Sequence, residues 1–404
     1  MSTVLYTNAD GKEVTHSSYS SRQTFKKCPR EFQLERVNGW WDKEQRAAPL
    51  FGKCIEAGLQ AYEESCRTPG AGVRVFHILW EDVKLTPDFE HLIYTACEVS
   101  WEQLSISGEQ MMLLYEIKAP SLPIVKPLFQ QKLRKTIFPG TNLAALENVA
   151  VLDILSFPVW NHPLLPKIDE PPLPNYTEAF HKPRELIIDV KTSGKEFPVV
   201  LVALDPQLAE YAWQTRIPDV AFLWFVKVGH GFKRGSRVTL LQGYGSWRPG
   251  SEVVVFEIND LTTGSVLYVG SKETLELYEV AFKGLRGKAR DTVQQGFLDG
   301  GQVSGSIIKV SAEDVTKQRI QFAAARLTEQ DMDDVGRSVA QSTVEMVRAH
   351  EQGFYEKQAG VRFPNEKCNF CSMRWICLNL PNERDKHLTR RGEEWLDANS
   401  EVDE

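Results

Sequence analysis

No apolar run in the 404-residue sequence approaches the ~20 residues needed to cross a bilayer, so no membrane partner is expected. The opening stretch from Met1 to Asp10 has no basic patch followed by an apolar segment, so a cytoplasmic protein is expected. The sequence also lacks internal repeats and a Gly-x-x-x-x-Gly-Lys-Ser/Thr phosphate loop, which argues against a fused ATP-driven motor. Cysteine is sparse and odd in number, at seven, which does not suit a disulfide framework in a chain without an export signal. Positive charge is in deficit, with 47 Lys and Arg against 54 Asp and Glu and a net charge of −7. That balance excludes a wholly basic nucleic-acid coat but not a local basic groove. Aromatic residues are plentiful, with 20 Phe, 11 Tyr and 10 Trp, so the chain can bury a core and is not disordered throughout. Its length suits one enlarged domain or two.

Residues 1–17 read as an extended lead-in, and a helical pattern starts at Ser18, with Phe25, Cys28 and Phe32 on one face. Pro29 is placed to begin a second helical turn. Residues 51–66 read as a further helix, and residues 70–145 as mainly helical. Residues 147–157 form a short apolar run suited to a buried strand, with Asp153 inside it. Seven prolines from Pro158 to Pro183 rule out regular structure there. A second strand follows from Glu185, in which Asp189 and Lys191, two apart, share a face. Asp205 and Pro206 read as N-cap and first residue of a helix carrying Gln207 and Tyr211 at i, i+4. Residues 219–228 predict a strand, residues 229–270 further strands or a hairpin, and residues 327–354 a long amphipathic helix.

A buried strand should not carry a carboxylate unless something satisfies it. Two do so here, at Asp153 and Asp189, and Lys191 accompanies the second. Two carboxylates with a third oxygen ligand make a hard-cation site suited to Mg²⁺ or Mn²⁺. Such an ion acidifies a bound water and polarises a phosphodiester, and a neighbouring lysine can assist. Taken alone, Asp-x-Lys is a common pattern and reads first as an ordinary ion pair at a strand end; the order of the surrounding segments changes that. Near the C-terminus, Cys368, Cys371 and Cys377 are spaced Cys-x2-Cys-x5-Cys, which points to a soft metal or a cluster. Cys54, Cys66 and Cys97 lack partners at such spacing and read as packing residues.

The order of these segments resembles the RecB-like branch of the PD-(D/E)XK nuclease superfamily, especially its iron–sulfur members such as the CRISPR-associated RecB-like exonucleases and the AddB nuclease domain. The segment from Ser18 to Phe32 is similar to the family's opening helix, and Phe51 to Glu56 occupies the place of its Gly-x-x-x-His motif. Val151-Leu152-Asp153 is similar to the strand bearing the first catalytic Asp. Ile187 to Ser193 is similar to the (D/E)xK strand, and Gln207 to Tyr211 matches the Gln-x-x-x-Tyr helix. The motifs extend from residue 18 to residue 377.

The resemblance implies an α/β fold: a PD-(D/E)XK restriction-endonuclease-like core, with a mixed central sheet flanked by helices, a helical insertion and a C-terminal iron–sulfur segment. It divides the chain into an N-terminal helical part (1–66), a helical insertion (67–146), a nuclease core (147–326), a C-terminal helix with cluster-binding segment (327–380) and a charged tail (381–404). Asp153, Asp189, Lys191, Gln207 and Tyr211 are then the catalytic set, and Glu56, Asp153 and Asp189 the metal ligands. Glu56 stands where the family has histidine, and Ala150 where it often has glycine. Cys28 would join Cys368, Cys371 and Cys377 on a [4Fe-4S] cluster; the same four thiolates would equally hold Zn²⁺. The implied function is a metal-dependent DNA nuclease of the exonuclease type. Recombination, repair, or phage or CRISPR DNA processing in a bacterial or phage-infected cell would be its setting, with DNA, and a helicase or recombination protein in trans, as partners. The rival reading is a nuclease-fold scaffold without activity, for which the Glu56 replacement and acidic net charge speak.

Overall fold

A computed structural model describes residues 4–43, 46–86, 89, 92–94, 100–141, 143–159, 161–167, 184–229, 231–261, 264–356, 368 and 371–390. Cys97, most of the proline-rich segment and the charged end of the tail lie outside the described residues. The architecture is α/β, with a mixed six-stranded sheet between two helical layers. The strands lie in the order Arg319–Arg326, Asp219–Val226, Leu186–Ser193, Glu147–Ser156 and His16–Ser17, and Leu128–Thr136 also pairs with Glu147–Ser156. Leu186–Ser193 and Asp219–Val226 run parallel, joined through the Pro206–Thr215 helix as a crossover requires. The other neighbours are antiparallel, except that His16–Ser17 runs parallel to the start of Glu147–Ser156.

One pairing is short. Glu147–Ser156 bonds Leu186–Ser193 only from Ile154 to Ser156, and the two strands diverge beyond that point. Asp153 stands at the opening of the fork.

On one face of the sheet lie the Ala47–Glu64, Ala71–Asp82 and Trp101–Lys118 helices. Phe51, Phe76, Trp80 and Tyr115 from these helices are buried against Ile188, Leu223 and Phe225. Each such side chain contributes about 1.5–3 kcal/mol by leaving water. The layer packs closely enough that a Cβ on Gly108 would meet the Phe76 ring at 1.9 Å. The opposite face carries Pro206–Thr215 and Glu329–Glu351, with Leu208, Trp213, Met332 and Val339 over Leu152, Ile187, Val220 and Phe222. Strand alternation thus sends Ile187, Asp189 and Lys191 toward the Pro206–Thr215 helix.

One segment differs from the sequence reading, and another, residues 229–270, holds the expected strands, which join later ones in a sheet of their own. Residues 67–146 are not helical throughout, since Leu128–Thr136 is a strand of the central sheet. Its side chains alternate between exposed and half-buried, so it carries no apolar run to betray it. Residues 237–316 build a second, wholly antiparallel sheet, with Ile307–Ser311, Gly264–Gly270, Glu252–Leu261, Arg237–Leu240 and Val315–Thr316 in that order. Val253 and Val255 face one apolar cluster, while Val254 and Phe256 face another beneath the Lys272–Phe282 and Gly287–Val303 helices. This unit leaves the central sheet after Val226 and returns at Arg319, and those two residues are register partners. Among the described residues no helix is long and apolar enough to cross a membrane.

Candidate active site

Asp189 is 1% exposed although it carries a carboxylate. The Lys191 ammonium lies 2.7 Å from its Oδ2, while Oδ1 receives no hydrogen bond among the described residues. Lys191 also donates to Gln207 Oε1 at 3.1 Å, and Gln207 Nε2 donates to the Tyr211 hydroxyl at 2.7 Å. The relay Asp189–Lys191–Gln207–Tyr211 therefore joins the strand to the crossover helix. Asp205 caps that helix by accepting from the backbone N–H of Gln207 and Leu208 at 3.0 and 2.9 Å, which fixes Gln207 in the first turn. Asp153 reaches across the fork, and its Oδ2 accepts the Val190 N–H at 2.8 Å. That bond takes the place of the strand pairing lost where the sheet opens.

The electrostatics follow from burial. Burial pushes the Asp189 carboxyl up to about 8; Lys191 opposes this and the Asp153 charge adds to it. Asp153 is raised by the same desolvation, against the Val190 N–H and Lys191. Burial by itself would lower Lys191, but Asp189 and Asp153 keep it above its ordinary value. Glu56 is pushed up to about 7 by burial and then by the Asp153 charge. The Ala47–Glu64 helix thus sets Glu56 within the field of Asp153 and Lys191, and Gly52, one turn before it, closes on Thr192 of the Leu186–Ser193 strand.

Two features escaped the sequence. Arg22 is 2% exposed and donates to Ser17 Oγ and Asn148 Oδ1; it also pairs with the buried Glu210, to which Asn148 Nδ2 donates at 2.9 Å. This network locks the opening helix, Tyr19–Lys27, against the start of Glu147–Ser156 and the helix bearing Gln207 and Tyr211. Tyr19 lies in the field of Asp205, Glu210 and Asp189, and burial with those charges pushes its phenol up to about 12. Arg22 and Glu210 look like surface residues in the sequence; only the fold shows them as each other's partners.

Among the described residues no three His, Cys, Asp or Glu side chains converge closely enough to hold an ion. Glu56, Asp153 and Asp189 therefore share a neighbourhood without forming a three-ligand shell. Asp153 and Asp189 still suit Mg²⁺ or Mn²⁺, because such ions commonly take one or two carboxylates and complete their shell with water and phosphate. The undonated Oδ1 of Asp189 is the atom that fits.

The cysteines are brought together only in part. The Leu388–Arg390 strand pairs antiparallel with Trp40–Asp42, and Leu34, Met373 and Leu388 form a small core on which Cys371 and Cys377 pack. Cys28 caps the Pro29–Phe32 turn, its Sγ accepting the Glu31 N–H at 3.4 Å. Cys371 lies beside Glu31, and burial with the Glu31 charge pushes its thiol up to about 12. The N- and C-terminal cysteine segments thus meet, but the four sulfurs do not form a ligand shell. Cys54 is buried packing, as expected. Cys66 is not: it is exposed, in a left-handed conformation just past the end of its helix.

No family model and no curated protein matches the chain. Among solved structures, one titled "Crystal structure of SSO0001" is similar at 10% identity, over 51% of this chain and 71% of that one, with a TM-score of 0.17. A superposition that slight carries no argument about fold or function.

Proposed function

We propose that the protein is a metal-dependent deoxyribonuclease of the RecB-like PD-(D/E)XK type. What carries this reading is the Asp189 carboxylate. It is buried and short of one donor, faced by Lys191, and stands beside Asp153 where two central strands part. A mixed sheet between two helical layers is the architecture the motif resemblance implies. Asp153 and Asp189 would hold Mg²⁺ or Mn²⁺, which supplies Lewis acidity and an acidified water. Lys191, held between Asp189 and Gln207, donates to a non-bridging phosphate oxygen and stabilises the charge that grows there. Gln207 keeps the ammonium in place, and Tyr211 fixes the Gln207 amide. Burial on the sheet excludes water around Asp189, which strengthens each of these contacts.

Cys28, Cys368, Cys371 and Cys377 are proposed to bind a [4Fe-4S] cluster that fastens the two ends of the chain. The contact between the Trp40–Asp42 and Leu388–Arg390 strands supports this. The deciding experiment uses anaerobically purified protein with labelled single- and double-stranded DNA and Mg²⁺ or Mn²⁺, with iron assayed on the same sample. Cutting should require the ion and disappear in Lys191→Ala with metal binding retained. Undiminished cutting by that variant would sink the assignment. A folded protein that binds DNA and cuts none would be the scaffold of the rival reading.

A further inference from the structure

The inserted five-stranded unit carries a charge pattern at odds with the rest of the chain. Residues 283–290, the link after the Lys272–Phe282 helix and the first turn of the Gly287–Val303 helix, hold Lys283, Arg286, Lys288 and Arg290 and no acid. Gly284 and Gly287, at φ of 88° and 54°, permit the reversal that displays them, a region that side-chain-bearing residues rarely enter. All four cations are exposed. Lys233 and Arg234, from the loop before Arg237–Leu240, join them. The Arg234 guanidinium sits 4.6 Å over the Tyr278 ring and 5.8 Å from the centre of Phe282, which precedes Lys283. Arg290 acts on the same Tyr278 phenol. None of the six is in an ion pair among the described residues, whereas exposed cations such as Arg216, Arg319 and Arg337 each hold a carboxylate. The nearest acids in sequence, Glu279 and Asp291, are exposed, and Glu257 is engaged by the Tyr278 hydroxyl.

The unit springs from the sheet at Val226 and Arg319, and Val226 pairs with Ser193, two residues beyond Lys191. It therefore rises from the end of the parallel strands on which the candidate site lies. We infer that Lys233, Arg234, Lys283, Arg286, Lys288 and Arg290 form a docking surface for the phosphate backbone of duplex DNA. The choice of DNA among polyanions rests on the nuclease reading above. The six exposed cations are spread over two loops and the first turn of the Gly287–Val303 helix rather than gathered in a closed pocket, so they suit a polymer of repeated phosphates. Leu285, the one large apolar side chain of residues 283–290, is half-buried, but Leu277 and Val280 on the preceding helix are exposed, so a lipid surface is the competing occupant that the vesicle arm of the test separates.

The test is the variant K283A/R286A/K288A/R290A of the full chain, changed only at exposed positions. Binding of a labelled duplex is read by anisotropy in EDTA, across a salt series. The dissociation constant should rise at least about tenfold at ~0.1 M salt, and the log–log salt slope should shrink by roughly three to four. Metal-dependent hydrolysis of bis(p-nitrophenyl) phosphate should stay at the parent rate. An unchanged constant and slope would overturn the assignment, as would a loss of binding confined to phosphatidylserine vesicles. If the parent cuts neither probe while the variant still loses DNA, the nuclease reading fails and the docking surface stands.

Discussion

Asp189 and Asp219 are both buried acids on neighbouring parallel strands, at 1% and 2% exposure, yet they are treated in opposite ways. Asp219 opens its strand and is filled on all sides. Arg184 donates to both of its oxygens at 2.5 Å, and Arg326 adds a third contact at 2.8 Å. Asp189 sits inside its strand, opposite Phe222 and three register steps along from Asp219, with one ammonium on Oδ2 and no donor on Oδ1 among the described residues. Burial without pairing costs several kcal/mol, so a fold retains such a group only where other forces hold it in place. The fully paired acid is a structural clasp at the start of its strand. The under-paired acid, in the middle of the same strand pair, keeps one oxygen open to a ligand.

Substitution should separate the two most sharply in activity. Asp189→Asn should lower metal-dependent cutting on the order of 10⁴-fold, equivalent to about 5.5 kcal/mol of barrier. Its melting temperature near neutral pH should hold, since Asp189 raised to about 8 is already mostly neutral there and the amide keeps its shape. Rate assays and a thermal melt on one preparation read both; a variant that cuts normally would make Asp189 merely another clasp. Asp219→Ala should reverse the pattern, losing about 3–5 kcal/mol of stability in denaturant because the buried Arg184 charge loses its carboxylate. Whatever remains folded should cut at the parent rate. A stable Asp219→Ala protein would remove the contrast from the other side.

How much of this the sequence carried depends on the kind of signal. Asp153, Asp189 and Lys191 stood out because charge inside an apolar run is anomalous, and the structure places them within reach of one another. Asp205 and Pro206 announced a helix start by local cap chemistry, which needs no tertiary context. The Leu128–Thr136 strand was illegible because a half-exposed strand has no apolar run to mark it. Arg22 was illegible for another reason: its partners Asn148 and Glu210 are 126 and 188 positions away, and only folding makes the charge buried. The Arg184–Asp219–Arg326 clasp is long-range in the same way. Glu56 is intermediate, since its place after Phe51 was legible while its position beside Asp153 and Lys191 came from the helix's packing on Thr192.

The smallest effect is the most discriminating, because it concerns protons. Asp189 titrates near 3.8 when unfolded and is raised to about 8 by burial in the fold. Between those values the folded protein holds a proton that the unfolded chain has lost, so without metal this group makes stability fall as pH rises from about 4 to about 8. An ion binding Asp189 must displace that proton. Mn²⁺ affinity, read by calorimetry, should therefore climb about tenfold per pH unit and flatten above about 8. Glu56, raised to about 7, decides the shape below that point. If Glu56 also ligates, two protons leave and the slope doubles below about 7; if it does not, the slope stays at one and Glu56→Gln leaves the curve unchanged. The Asp189→Asn curve should be flat between about 7 and 8, below which any remaining slope belongs to Glu56, and an Asp219→Asn curve should follow the parent. A flat parent curve would mean that Asp189 gives up no proton to the ion and is as fully committed to the fold as Asp219.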